Sequence, residues 1–366
     1  MDTTDTRISF NADGVCDHAS DFYNNVLPNW HPDERGRNEL QAIIEKIKKD
    51  GRNRDFDCLL GLSGGIDSSY MLHLAVKEFG LRPLVFHVDG GWNSELAVHN
   101  IHVLVDSLGV DLFTEVVNWE EMRDFQLAWF KAGVPHLDIP QDHAFIAVLY
   151  NYADKYNIQY ILNGGNISTE CVRNPMEFFY YGTDMIHIND IIRRFGSLRM
   201  KTYPFSSVFR HKIYLRYIRK IHVVRPLNYR PYIKAEAVQI LQNNYGWKSY
   251  PQKHFESRFT QFYESYWLPQ RFGFDPRRVQ FSSLILTGQM ERDEALQRLA
   301  KPAHDPSSIS QEFDYIAKKL GISADELNHY LTMPKKFYWN YRNQERLFNA
   351  GARILKAIGS ETSIKR

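Results

Sequence analysis

From Phe56 onward the chain alternates between short apolar runs and amphipathic stripes. The run FDCLLGL ends at a glycine turn, and the segment after it sets Leu72, Ala75, Val76 and Phe79 on one helical face. The pattern then repeats: a strand over Leu84 to Val88, a helix over Glu95 to Leu108, a strand over Leu112 to Val117, a helix over Asp142 to Lys155 and a strand over Tyr160 to Leu162. Strands alternating with helices of this length predict βαβ units. The fold class expected is therefore α/β, a doubly wound and mostly parallel sheet whose ligands sit beyond the carboxyl ends of the strands. Upstream, a polar, turn-rich opening leads into a helix over Asn38 to Lys49 with Leu40, Ile43, Ile44 and Ile47 at helical spacing. Beyond about Pro226 strand signals fade. Helices are predicted over Lys234 to Asn244, Glu256 to Trp267 and Asp293 to Leu299, with another starting at Ser323, three residues before Glu326. The expected organisation is an N-terminal extension over 1–55, an α/β domain over 56–225 and a helical C-terminal domain over 226–366.

Composition narrows the classes. Of 366 residues, 43% are hydrophobic and 14% aromatic, enough to bury a full core and to exclude general disorder. Lys and Arg number 45 against 43 Asp and Glu, so no whole-protein field favours a nucleic acid. Cys16, Cys58 and Cys171 are too few and too scattered for a disulfide scaffold, which fits a reducing compartment. No apolar run reaches the length of a bilayer span, and MDTTDTRISF lacks the regions of a secretory signal. The expectation is a cytoplasmic protein without a membrane span.

The chemistry concentrates directly after the first strand, in Ser63-Gly64-Gly65-Ile66-Asp67-Ser68-Ser69. Adjacent glycines let the backbone approach a ligand, and a helix opening there turns N–H groups outward, which is a phosphate-binding geometry. Ser63, Ser68 and Ser69 add hydroxyl donors, while Asp67 is suited to holding Mg2+ that neutralises a leaving pyrophosphate. The loop lacks the Gly-Lys-Ser/Thr ending of the Walker type. The bland reading of the same residues is a strand-to-helix turn with a capping Asp.

SGGIDSS resembles the PP-loop of the N-type ATP pyrophosphatases, whose fold is that of the adenine nucleotide alpha hydrolases. The resemblance implies ATP as substrate, cleaved between its α and β phosphates. It also implies that Val88 and Asp89, after the second strand, hold adenine and ribose. A second loop, Asn163-Gly164-Gly165-Asn166-Ile167-Ser168-Thr169-Glu170, would by the same resemblance face the α phosphate and the second substrate. Glu170 is either a metal ligand or proton acceptor there, or a surface carboxylate on a glycine turn.

Longer stretches narrow the resemblance: ISFNADGVC, NGGNISTE, INDIIRRFGSLRMKTYP, VVRPLNYRPYIKAEA, KHFESRFTQFYESYWLPQRFGFDPRR and SSLILTGQMERDEAL. With SGGIDSS they are similar to the N-acetyl sugar amidotransferases of surface-polysaccharide pathways, among them lipopolysaccharide and O-antigen biosynthesis. That family implies conversion of an acetamido group on a sugar or nucleotide sugar into an acetamidino group, using ATP and ammonia. It places Lys253, His254 and Arg258 of KHFESRF near the phosphates, although Arg258 can equally pair with a carboxylate. It also implies separate glutaminase and cyclase-like subunits that deliver ammonia. Residue 2 is Asp2, and no Cys stands in a nucleophile setting with His partners, so the chain is not expected to make ammonia itself. Relatives often carry paired cysteines near the N-terminus, whereas here Ala19 stands three positions after Cys16, so the residues do not support a structural zinc.

Weaker signals have ordinary explanations. The basic stretch from Arg193 to Lys220 is expected to be mostly a solvated face, and Phe259, Phe262, Tyr263, Tyr266 and Trp267 to be core. The 14 histidines show no metal-ligand spacing. Two rival functions remain: a tRNA-modifying PP-loop enzyme, and a non-catalytic scaffold for a glutaminase complex.

Overall fold

The structure, a computed structural model, describes residues 1–357. Its centre is a five-stranded sheet of β1 (Cys58–Gly61), β2 (Pro83–Asp89), β3 (Leu112–Val116), β4 (Tyr160–Leu162) and β5 (His222–Val224). All neighbours are parallel and the order is β3-β2-β1-β4-β5. The chain winds outward from β1 and then returns to place β4 on its other side. That reversal opens a crevice beyond the carboxyl ends of β1 and β4, where a doubly wound sheet binds its ligand.

Side-chain alternation divides the core into two layers. Leu59, Leu84, Phe86, Val88 and Ile161 face one way, against α4 (Trp119–Ala132), α5 (Ile139–Lys155) and α6 (Met185–Phe195). Cys58, Leu60, Leu62, Val85, Tyr160 and Leu162 face the other way, against α1 (Glu34–Gly51), α2 (Ile66–His73), α3 (Glu95–Leu108) and α7 (Lys234–Tyr245). The predicted helix over Glu95 to Leu108 is present, with Ser94 as N-cap and Gly109 in the left-handed conformation as C-cap. Neither α4 nor the three-residue edge strand β5 is among the predicted elements.

The core ignores the segment bounds at 55 and 226. Leu40, Ile44 and Ile47 of α1 share one layer with Leu227, Tyr232, Ala237, Leu241 and Trp247. On the other face a single core runs from Phe22 to Tyr341, and it holds Phe259, Phe262, Tyr263 and Trp267 as expected. The C-terminal helices thus pack onto the sheet domain. The predicted helix over Glu256 to Trp267 begins instead at Arg258, because Ser257 caps it: its Oγ accepts from the Thr260 N–H at 3.2 Å. Ser257 itself is extended (φ −103°, ψ 125°) and bridges Asn93 in the loop after β2. Among the described residues no disulfide forms, and no helix is long and apolar enough to cross a membrane.

Candidate active site

β1 delivers the Ser63–Ser69 loop to the crevice. Gly64 has φ +83°, and a Cβ there would stand 2.8 Å from the Ala97 carbonyl oxygen, so the turn requires glycine. Ser63 and Ser68 tie the turn together: Gly65 N–H donates to Ser63 Oγ at 3.2 Å, and Ser68 Oγ donates to the Gly65 carbonyl at 3.1 Å. Gly65 is the N-cap of α2 and supplies no side chain to cap it. The first-turn N–H groups of α2 are left for a ligand, at the positive end of the helix dipole.

The loop after β4 lies against the first one. A Cβ on Gly164 would stand 2.7 Å from the Asp67 carbonyl oxygen, so the two backbones touch only because this residue is glycine. Asn166 caps the short helix Ile167–Glu170, its Oδ1 accepting from Thr169 N–H at 2.9 Å. Its Nδ2 donates to Asp67 Oδ1 at 3.2 Å.

Where the loops meet, Lys253 bridges two carboxylates. Its Nζ lies 3.1 Å from Asp67 Oδ2 and 2.5 Å from Glu170 Oε1. Tyr232 donates its hydroxyl to Asp67 Oδ1 at 2.6 Å. Burial works against ionising Asp67, yet the Lys253 charge and the Tyr232 bond hold its carboxyl below the usual value. Burial likewise opposes the charge on Lys253, and the two carboxylates overcome it and push its pKa up. Nearby Lys234 is shifted down by burial despite the Asp67 charge. Glu256 leans over the Ser63–Ser69 loop, with Ser63 Oγ donating to its Oε1 at 3.4 Å. Burial pushes its carboxyl up, against the pull of His254 and Lys253.

Asp67, Glu170, Lys234, Lys253 and Glu256 line a cavity of about 380 Å³. Of the residues expected from sequence, Ser63, Gly65, Asp67, Ser68, Val88, Gly164, Gly165, Glu170 and Lys253 stand on its wall. Gly64 and Asn166 act from behind it: Gly64 offers its carbonyl to Trp247 Nε1 at 3.1 Å, and Asn166 supports Asp67. Ser69 is fully buried in α2. Asp89 accepts from Gly91 N–H at 2.7 Å and does not line the cavity. Arg258 is not brought there either. It is the first residue of the Ser257-capped helix, and its guanidinium pairs with Glu312 at 2.7 Å and lies 3.6 Å over the Tyr315 ring. Tyr232, Lys234 and Glu256 are site residues that the sequence reading missed, although all three fall inside quoted stretches, RPYIKAEA and KHFESRF. In the basic stretch, Arg193 and Arg194 pair with Asp190, and Arg210 and Arg219 pair with Asp154.

Asp67 and Glu170 each aim an oxygen at one point, now held by an ammonium. That arrangement fits Mg2+, which takes one or two carboxylates together with substrate phosphates and waters. Among the described residues no cluster of three or more His, Cys, Asp or Glu could hold a metal without a substrate.

Residues 256–355 match the family model of the LPS biosynthesis protein WbpG-like, C-terminal domain. This segment of the chain is WbpG-like. The resemblance to surface-polysaccharide enzymes is thereby borne out as a relation to lipopolysaccharide biosynthesis proteins. The matched segment begins at the turn before the Ser257-capped helix, which places Glu256 and Ser257 on the cavity wall. No curated protein is significantly similar to the chain. Among solved structures it is similar to an NH3-dependent NAD synthetase from Campylobacter jejuni, with 15% identity over 82% of this chain and 98% of that one and a TM-score of 0.31. An NAD+ synthetase from Burkholderia pseudomallei shows 18% identity over 63% and 95%, TM-score 0.28. The U34-tRNA thiolase NcsA from Methanococcus maripaludis shows 12% over 70% and 82%, TM-score 0.33. With scores this low, the doubly wound PP-loop fold stands on the sheet order and the two glycine loops rather than on these overlays.

Proposed function

We propose that the chain is an ATP-dependent amidotransferase that converts a sugar acetamido group into an acetamidino group, releasing AMP and pyrophosphate. The observation that carries this reading is the meeting of the Ser63–Ser69 loop with Asp67, Lys253 and Glu170 in one cavity. Adenine is assigned to the apolar wall of Met71, Phe86, Val88, Phe145 and Leu149, and the β and γ phosphates to the first turn of α2. Mg2+ held by Asp67 and Glu170 would screen the phosphate charge.

An amide oxygen is a poor leaving group, so activation comes first. The acetamido oxygen bonds to the α phosphorus, and the bridging P–O bond breaks with its electron pair leaving on pyrophosphate. Lys253 and the α2 N-terminus stabilise that departing charge. Ammonia adds to the imidate carbon and loses a proton. AMP then departs with the former acetamido oxygen and the amidine remains. Ammonia is assigned to a separate glutaminase with a cyclase-like subunit. In support, Cys58 and Cys171 are buried, and burial pushes the Cys58 thiol up, away from nucleophilic use.

The test is mass spectrometry of candidate N-acetylated sugars incubated with ATP, magnesium and ammonium, the acetamido oxygen carrying a heavy label. Labelled AMP, pyrophosphate and amidinated sugar are expected, with glutamine inert as nitrogen source for the lone chain. ADP with orthophosphate, or unlabelled AMP beside amidinated sugar, would overturn the reading.

A further inference from the structure

A second cavity, of about 240 Å³, lies beyond the Asp67 and Lys253 pair. Ile66, Asp67, Lys234, Gln252 and Lys253 line both cavities, so a ligand in the second meets a ligand in the first across this network. Its outer wall comes from the WbpG-like domain, from Arg277 to Pro302. Apart from Asp67, every charged residue on its lining is a cation.

The cations are not equivalent. Lys253 is matched by Asp67 and Glu170. Arg277 is spent on the fold: it pairs with Asp275 at 2.7 Å and donates to the carbonyls of Arg298 at 3.1 Å and Lys301 at 2.9 Å. It thereby fixes the backbone that carries Arg298 and Lys301. Among the described residues Arg298 pairs with Glu294 alone, an exposed partner one helical turn away, and such pairs contribute little. Lys234 and Lys301 make no ion pair among the described residues. Uncompensated positive charge is therefore left beside the apolar faces of Phe281 and Leu284.

We infer that this second cavity holds the sugar substrate by a phosphoryl group remote from its acetamido group, bound by Arg298 and Lys301 with Lys234 at the junction of the two cavities. The assignment rests on the amidotransferase reading and adds to it where the sugar sits and which charge it carries. The volume is below the roughly 300–1,000 Å³ of sites that enclose a drug-sized ligand. It suits a sugar and its phosphoryl group, with any nucleoside extending past the exposed rim. Apolar walls take the sugar faces and the acetamido methyl, while the cations supply charge-assisted hydrogen bonds. The acetamido end then points toward Asp67 and the α phosphate.

Calorimetry tests this with the first cavity filled by magnesium and α,β-methylene-ATP, whose bridge resists cleavage. The probes are N-acetylglucosamine, its 1-phosphate, and UDP-N-acetylglucosamine, titrated into the wild type and into the Arg298→Gln/Lys301→Gln double variant. Both substituted side chains are exposed, and thermal melting checks that the variant is folded. The phosphorylated probes should bind the wild type at least roughly tenfold more tightly than the neutral sugar, and the variant should lose about tenfold for them alone. Affinity for α,β-methylene-ATP should not change. If the two phosphorylated probes bind alike, the source is a sugar phosphate; tighter UDP-sugar binding marks a nucleotide sugar. Equal affinity for neutral and phosphorylated sugars, or an unaffected double variant, overturns the assignment. Failure of α,β-methylene-ATP to bind the wild type would instead overturn the ATP-dependent reading itself.

Discussion

Lys253 holds Asp67 of the Ser63–Ser69 loop, its Nζ 3.1 Å from Oδ2, so the loop before the WbpG-like segment completes a site begun at β1. Both groups are largely sheltered, with side-chain exposures of 12% and 18%. Lys253→Met would leave the Asp67 and Glu170 carboxylates together without their cation. A loss of about 3 kcal/mol in chemical denaturation is expected, with near-complete loss of pyrophosphate release. Asp67→Asn keeps the shape and is expected to fold while losing most turnover. Wild-type stability in Lys253→Met, or wild-type magnesium dependence in Asp67→Asn, would contradict the roles given to the pair.

Gly164→Ala is expected to disable the site more than any ordinary turn glycine would. Its new Cβ meets the Asp67 backbone at 2.7 Å, and backbone cannot swing aside. Gly246→Ala is the control: φ is +68° but the space around it is open, so the cost should be about 1 kcal/mol with ATP binding intact. ATP titrations on both variants decide the matter. Equal affinities would mean that the two loops need not touch.

Glu256→Gln is expected to lower KM for ATP several-fold with kcat little changed. The wild-type carboxyl stands beside Gly65 and Ser63 Oγ, where an anion would approach, and Gln keeps the contact without the charge. A fall in kcat with altered magnesium dependence would show that Glu256 is instead a metal ligand.

His254 predicts a pH dependence of stability. Burial disfavours its charge, but Glu264, 3.0 Å from Nδ1, outweighs this and raises its pKa from 6.5 to about 9. A raised pKa means that the folded state holds the proton more tightly than the unfolded chain. The contribution is therefore complete below pH 6.5 and disappears as pH rises through about 9. The His254 side chain is 43% exposed, so solvent screening keeps the effect modest. Melting temperature measured across that window should fall in the wild type and be flatter in His254→Gln. A wild-type slope retained in the variant would assign the proton elsewhere.

The alternation of β1, β2, β3 and β4 with helices was legible because each strand is apolar and each helix shows a stripe. In β5 only three residues pair, two of them exposed on the sheet edge, and so short a segment carries no period. The glycine loops were legible because a backbone that passes close to another, as Gly64 does to Ala97 and Gly164 to Asp67, excludes side chains, and that constraint is local. Arg258 was misplaced for the opposite reason. Its neighbours in KHFESRF reach the cavity, but a side chain at the start of a helix goes where the nearest carboxylate and ring lie, here Glu312 and Tyr315.

By itself the sequence determined the parallel sheet, the Ser63–Ser69 glycine loop after β1 and the second glycine loop after β4, since these follow from neighbouring residues and the periods of strand and helix. Only the tertiary structure decided that Lys253, Tyr232 and Asn166 converge on Asp67, and that Lys234 stands between two cavities. Those residues come from three separate stretches of chain, and their meeting depends on how α7 and the C-terminal helices pack on the sheet. Packing is set by the fit of two apolar layers, a property of the whole core that no local window of sequence contains.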